Sequence, residues 1–161
     1  MSRLIVADAG PLIALGKLDH IALLPKLFSK VLAPESVIAE CLDDVRLPGA
    51  QAVQNALAKK LVSIVADPEG LHDQSLGLDA GERAAVLTAQ KLHAHVLVDE
   101  KRGRDVAQKM GVGIIGTIGV IVLARERELI PEAKSLLMAL TANGYYVGEA
   151  LLKAALKRCV E

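Results

Sequence analysis

The sequence predicts a three-layer α/β/α domain built on a central, mainly parallel sheet. Three observations predict it. Short, continuous, β-branched runs recur, among them Arg3-Leu4-Ile5-Val6-Ala7 and His95-Val96-Leu97-Val98, and such runs mark strands buried on both faces. Amphipathic helical stretches separate them, the alternation that covers a parallel sheet with helices. Both quoted runs stop at an acid, Asp8 and Asp99, which places carboxylates outside the carboxyl ends of strands, where open α/β sheets keep their ligands.

The elements follow in order. After the first strand, Asp8-Ala9-Gly10-Pro11 is a turn and helix start, with Pro in the first turn. Leu12, Ile13, Leu15 and Leu18 form that helix's apolar face, and Leu23, Leu24, Leu27 and Phe28 mark a second short helix. Val31-Leu32-Ala33 is a strand, and Pro34 opens a helix with Val37, Ile38, Cys41 and Leu42 on its apolar side and Glu40 within it. A loop over 43–49 leads to a helix from Ala50 to Lys60 and a strand Leu61-Val62-Ser63-Ile64-Val65. The stretch from Ala66 to Leu78, with Pro68, Gly70 and Gly77, is the least structured and reads as an exposed, mobile loop near substrate. Asp79 caps a long helix through Leu92. A strand at Val96–Val98, a helix from Glu100 to Met110 and a strand Val112-Gly113-Ile114-Ile115 come next. Thr117 is placed as the N-cap of a helix ending near Glu128, Pro131 starts another that Asn143-Gly144 stops, and Gly148 to Arg158 forms the last.

A chain of 161 residues fits one domain over 1–161 with room for a sizeable core. Hydrophobic residues at 52% and charged residues at 24% exclude a disordered chain. The aromatics are Phe28, Tyr145 and Tyr146, so the core is aliphatic and little material exists for stacking bases. A net charge of zero argues against strong, nonspecific binding to long nucleic acid but leaves room for a local basic rim. Two cysteines, Cys41 and Cys159, make neither a disulfide framework nor a zinc cluster, and Cys41 reads as a small buried hydrophobe. No signal peptide is visible, and the longest apolar segment, Gly111 to Ala124, is too short and glycine-rich to span a bilayer. The expectation is a soluble, cytoplasmic protein with no membrane partner.

Glu82 is the most telling acid after Asp8 and Asp99, because at helical spacing it shares a face with Ala85, Val86 and Ala89. A carboxylate on an inward stripe costs several kcal/mol unless it is paired or bound to a cation. Two charges ~4 Å apart repel by about 4 kcal/mol at an effective dielectric near 20. Asp8, Glu82 and Asp99 share a crevice only with something positive among them, and hard oxygen donors without Cys or His favour Mg²⁺ or Mn²⁺. Helix capping is the alternative for Asp8 or Asp99 taken singly, and a solvated face is the alternative for Glu40, which sits beside Asp43 and Asp44.

Five motifs in order carry a resemblance: Asp8-Ala9-Gly10-Pro11-Leu12-Ile13-Ala14-Leu15, Pro34-Glu35-Ser36-Val37-Ile38-Ala39-Glu40, Leu78-Asp79-Ala80-Gly81-Glu82, Val98-Asp99-Glu100-Lys101-Arg102-Gly103-Arg104 and Gly116-Thr117-Ile118-Gly119-Val120. Together they resemble the PIN-domain nucleases, closest to a prokaryotic group related to VapC toxins. The resemblance runs from Arg3 to about Ala124 and returns in the final helix after Asn143-Gly144-Tyr145. It implies a Mg²⁺- or Mn²⁺-dependent endoribonuclease that hydrolyses RNA phosphodiester bonds, with a toxin's role in a toxin–antitoxin pair among its settings. Asp8, Glu40, Glu82 and Asp99 match the family's acidic positions for metal binding and catalysis. The subgroup tends to carry paired aspartates where this chain has Asp99-Glu100, so Glu100 either reaches the metal through its longer side chain or sits in the first turn of the next helix. Arg104 matches a basic position that holds a substrate phosphate, and the resemblance suggests a hydroxyl from Thr117 near the site.

The remaining signals are weaker. Lys101, Arg102 and Arg104 also fit a solvated helix face. Gly111-Val112-Gly113-Ile114-Ile115-Gly116 matches a dinucleotide fingerprint in letters only, because a helix precedes it and the strand lies inside it. His93 and His95 lack a third ligand nearby in sequence, and His20 and His72 carry no pattern. Two rival functions remain: a catalytically weak or inactive PIN-like module that binds RNA or protein, and another phosphoryl-transfer α/β enzyme, against which the lack of Asp-x-Asp after the first strand counts. An antitoxin as partner follows from the resemblance, and the apolar helices near either end are consistent with a homodimer.

Overall fold

The computed structural model describes residues 3–161 and is a three-layer α/β/α fold around five parallel strands. In chain order these are β1 (Leu4–Ala7), β2 (Lys30–Pro34), β3 (Ser63–Val65), β4 (His95–Leu97) and β5 (Ile114–Ile115). Their order across the sheet is β3-β2-β1-β4-β5. Ala7 pairs with Leu97, and the Asp8 amide extends the ladder by donating to the Leu97 carbonyl at 3.0 Å. The order reverses between β1 and β4, so their carboxyl ends flank the switch point where such sheets open a crevice.

The helices are α1 (Ala9–Lys17), α2 (Leu23–Leu27), α3 (Glu35–Cys41), α4 (Pro48–Ala58), α5 (Ala80–Leu92), α6 (Lys101–Lys109), α7 (Thr117–Glu126), α8 (Lys134–Ala142) and α9 (Glu149–Arg158). Helix α5 packs on β1, β2 and β4 and touches α3 and α6. Ala85, Val86 and Ala89 on its inner face are fully buried, as the spacing around Glu82 predicts. The core is aliphatic, with Ile5, Leu12, Leu15, Leu24, Leu97 and Ile121 among its largest fully buried side chains. Among the described residues no helix is long and apolar enough to cross a membrane.

Several boundaries differ from the sequence expectation, each for a local reason. Strand β3 begins at Ser63 rather than Leu61, because Lys60 turns left-handed and the Leu61 amide closes α4 onto the Ala56 carbonyl. Strand β5 covers Ile114–Ile115 only, because the Val112 amide is taken by the Ala107 carbonyl at the end of α6. Helix α8 starts at Lys134 rather than Pro131, and the carboxylate of Glu161 accepts from the Ala133 and Lys134 amides. Thr117 is not the N-cap of α7: Gly116 holds that position and Thr117 is the first helical residue.

The stretch 66–78 is largely exposed and poor in regular structure, as its composition predicts, and hydrogen bonds join it to other elements. Asp67 accepts from the Ser36 amide and hydroxyl at 2.9 and 2.6 Å. The buried Arg83 guanidinium donates to the carbonyls of Leu71 and Leu78, and Arg102 donates to that of Gly77. A 3-10 turn at Gln74–Leu76, capped by Asp73, fills the middle.

Candidate active site

Several elements around the switch point bring a carboxylate. Asp8 follows β1 and is 7% exposed. It holds the N-cap position of α1, yet its side chain makes no cap hydrogen bond, so capping does not account for it. Glu40 stands in the last turn of α3 and is exposed. Asp79 caps α5 by accepting from the Glu82 amide at 2.8 Å, and Glu82, 6% exposed, follows in the first turn of the same helix. Glu100 holds the N-cap position of α6, again without a cap hydrogen bond.

Two glycines let these groups approach. A Cβ at Gly81 would stand 3.0 Å from Glu40 Oε1 and 3.6 Å from Asp8 Oδ1. A Cβ at Gly103 would meet Val98 Cγ2 at 2.8 Å and Glu82 Oε2 at 3.0 Å. Side chains at either position would push into the cluster.

The electrostatics follow from burial and from like charges. Burial lifts the Asp8 carboxyl to about 7, with the charges of Asp79, Glu40 and Glu100 adding to it and the Ala9 amide opposing. Burial, then Asp79, Asp8 and Glu100, lifts Glu82 to about 8. Glu40 is raised by burial and by Asp79 and Glu100. Glu82 Oε2 is buried with no hydrogen-bond partner. An orphaned, buried carboxylate oxygen is a strong cost unless a proton or a cation answers it.

Asp99 carries hydrogen bonds of its own. Its carboxylate accepts from the Thr117 amide at 2.7 Å and from the Thr117 hydroxyl at 2.6 Å. Tyr145 lies on its other side, its phenol held well above the ordinary range by burial and by the Asp99 charge. At the end of β4, then, Asp99 contacts Thr117 and Tyr145, and the Glu100 charge bears on Asp8, Glu40 and Glu82. Thr117 is fully buried and its hydroxyl is spent on Asp99. Thr117→Val removes one of the two bonds to Asp99 and leaves a carboxylate oxygen under-satisfied. The expected loss is about 1–3 kcal/mol, read as a lowered midpoint in urea unfolding, whereas an unchanged midpoint would mean that the Thr117 hydroxyl does not hold Asp99.

Of the basic residues after Asp99, Lys101 pairs with Asp105 at 2.7 Å and Arg102 holds the Gly77 carbonyl. Arg104 is exposed and, among the described residues, its guanidinium has no ion pair or hydrogen bond. Asp79, Tyr145 and the two glycines are the participants that sequence reasoning missed. Asp79 carried a readable signal, three residues before Glu82 at a helix start, but it also fitted an ordinary cap.

A parallel α/β sheet with carboxylates crowding its switch point defines a domain class suited to work on anionic substrates with help from a cation. The chain belongs to the PIN-domain family, whose model matches residues 4–161. No curated protein matches it. PIN domains are generally nucleases, and they typically use divalent metal ions. Among the described residues no three His, Cys, Asp or Glu side chains are gathered closely enough to hold a metal ion as they stand. The donor set still fits one in kind: all are hard oxygens, they repel one another, and Glu82 Oε2 is buried without a partner.

Proposed function

We propose that this protein is a Mg²⁺- or Mn²⁺-dependent endoribonuclease. The observation that carries the reading is the set of five carboxylates at one sheet edge, with Asp8 and Glu82 raised toward neutrality by burial and by neighbouring acids. Asp8, Glu40, Glu82 and Glu100 would hold the cation, and Asp79 adds to the negative field while fixing the start of α5. A bound cation supplies a water of lowered pKa and neutralises charge on a phosphodiester. Asp99, held by Thr117, sets the geometry where β4 passes into α6 and so aims Glu100. Arg104 offers an unpaired guanidinium for a substrate phosphate.

Purified protein incubated with mixed RNA is expected to cut it in Mn²⁺ and to leave it intact with chelator. No cleavage of any RNA in either metal would overturn the reading. The VapC-related resemblance supports a further expectation, a toxin's role in the cytoplasm with an antitoxin partner. One observation favours a different reading: the carboxylates are not drawn together enough to hold a metal as they stand. In that case the protein is a PIN-like module that binds RNA without cutting it, and RNA binding without metal-dependent cleavage would identify it.

A further inference from the structure

A groove of about 570 Å³ opens beside the acidic centre between α7 and α9. Asp99, Arg104, Val122, Tyr145, Tyr146 and Leu151 are among the residues that line it. The volume and the mix of apolar residues with a few polar groups are those of a small-ligand site. Tyr146 is 87% exposed, with its ring edge above Gly148 and nothing in the fold covering the rest. The open face of the ring offers a surface on which a planar group can stack. Tyr145, by contrast, is half-buried against Asp99 and Thr117.

We propose that this groove is a nucleotide subsite that takes an unpaired base of the substrate strand, stacked on Tyr146. It rests on the ribonuclease reading and names the substrate as single-stranded RNA. Charge complementarity argues for a nucleotide over a purely apolar occupant. Arg104 is the cation at the groove without a partner among the described residues, and it lies close enough to Tyr145 to act on the phenol. The other guanidinium at the groove, Arg158, is already paired with Glu126 at 2.9 Å. Arg104 and Tyr146 line the same groove, so one occupant meets both a ring and a guanidinium. Only an unstacked base enters such a groove, so the site selects single strands over duplex.

Binding of a fluorescein-labelled single-stranded RNA to the full chain, followed by anisotropy in chelator, reads the subsite without cleavage. Tyr146→Ala is expected to weaken binding by about 5- to 150-fold, the range for loss of one stacked base. Tyr146→Phe retains the affinity, and a duplex of the same sequence binds more weakly than the single strand. Unchanged affinity in Tyr146→Ala, no binding by the wild type, or equal affinity for duplex would each overturn the proposal. The same proteins assayed in Mn²⁺ separate the two readings. Cleavage with Tyr146→Ala binding as well as wild type sinks the subsite alone. Tyr146-dependent binding without cleavage by the wild type sinks the nuclease reading and keeps the subsite.

Discussion

Asp8→Asn is expected to lower Mn²⁺-dependent RNA cleavage by at least about a hundredfold while leaving the fold intact. The substitution keeps the shape of a side chain that is buried at the switch point and removes its charge. Losing one positioned charged or donor group at a reacting centre has an effect of this order. The charges of Asp79, Glu40 and Glu100 all bear on Asp8. The fold is expected to gain from the change. Without a cation, the carboxyl sits among like charges, and relieving that repulsion stabilises by about 0.5–2 kcal/mol, as is common when a functional strain is removed. Cleavage by single-turnover assay and unfolding in urea check the two halves on one sample. Full activity in Asp8→Asn would remove the acid from the site.

The second large effect is the pH dependence of the metal-stripped protein. Asp8 rises from 3.8 to about 7 on folding, and Glu82 from 4.5 to about 8. Both folded values lie above the unfolded ones, so between them the folded chain holds more protons than the unfolded chain. Stability therefore falls as pH rises through about 4 to 8. Below this window both states are protonated and the penalty is absent, and above it the penalty is complete. The melting temperature is expected to drop by several degrees from pH 5 to pH 8, and Glu82→Gln flattens the drop. Mn²⁺ affinity runs the other way and tightens as pH rises, because a cation must displace the protons that Asp8 and Glu82 hold. A melting temperature that is flat or rises over this range would contradict the crowded, buried state of these two carboxyls.

Much of the fold was legible because its signals are local. The runs ending at Ala7 and Leu97 are apolar on both faces, so they read as central strands, and they are the pair that flanks the crevice. Glu82 was legible because its helical neighbours Ala85, Val86 and Ala89 left no solvent face for it. What escaped depends on contacts distant in sequence. Nothing near Pro131 shows that Glu161 will cap α8. The stretch 66–78 reads as loose by composition, while Ser36, Arg83 and Arg102 on other elements hold it. The sequence alone placed Asp99 in the metal set and left open whether Glu100 joins it, since adjacent residues at a strand end have no fixed facing. In the structure the Thr117 amide and hydroxyl bond Asp99, while the Glu100 charge bears on both Asp8 and Glu82.

Thermal unfolding of the metal-stripped protein with increasing Mn²⁺, run beside Asp8→Asn and Glu100→Gln, tests the acidic centre most directly. A cation bound only by the folded state adds about 2.7 kcal/mol at a hundredfold excess over its dissociation constant, or roughly 5–10 °C for a chain of this size. A saturable rise in the wild type that both variants lose is the predicted result. No rise in the wild type, or the same rise in all three proteins, would contradict a cation site built from these carboxylates.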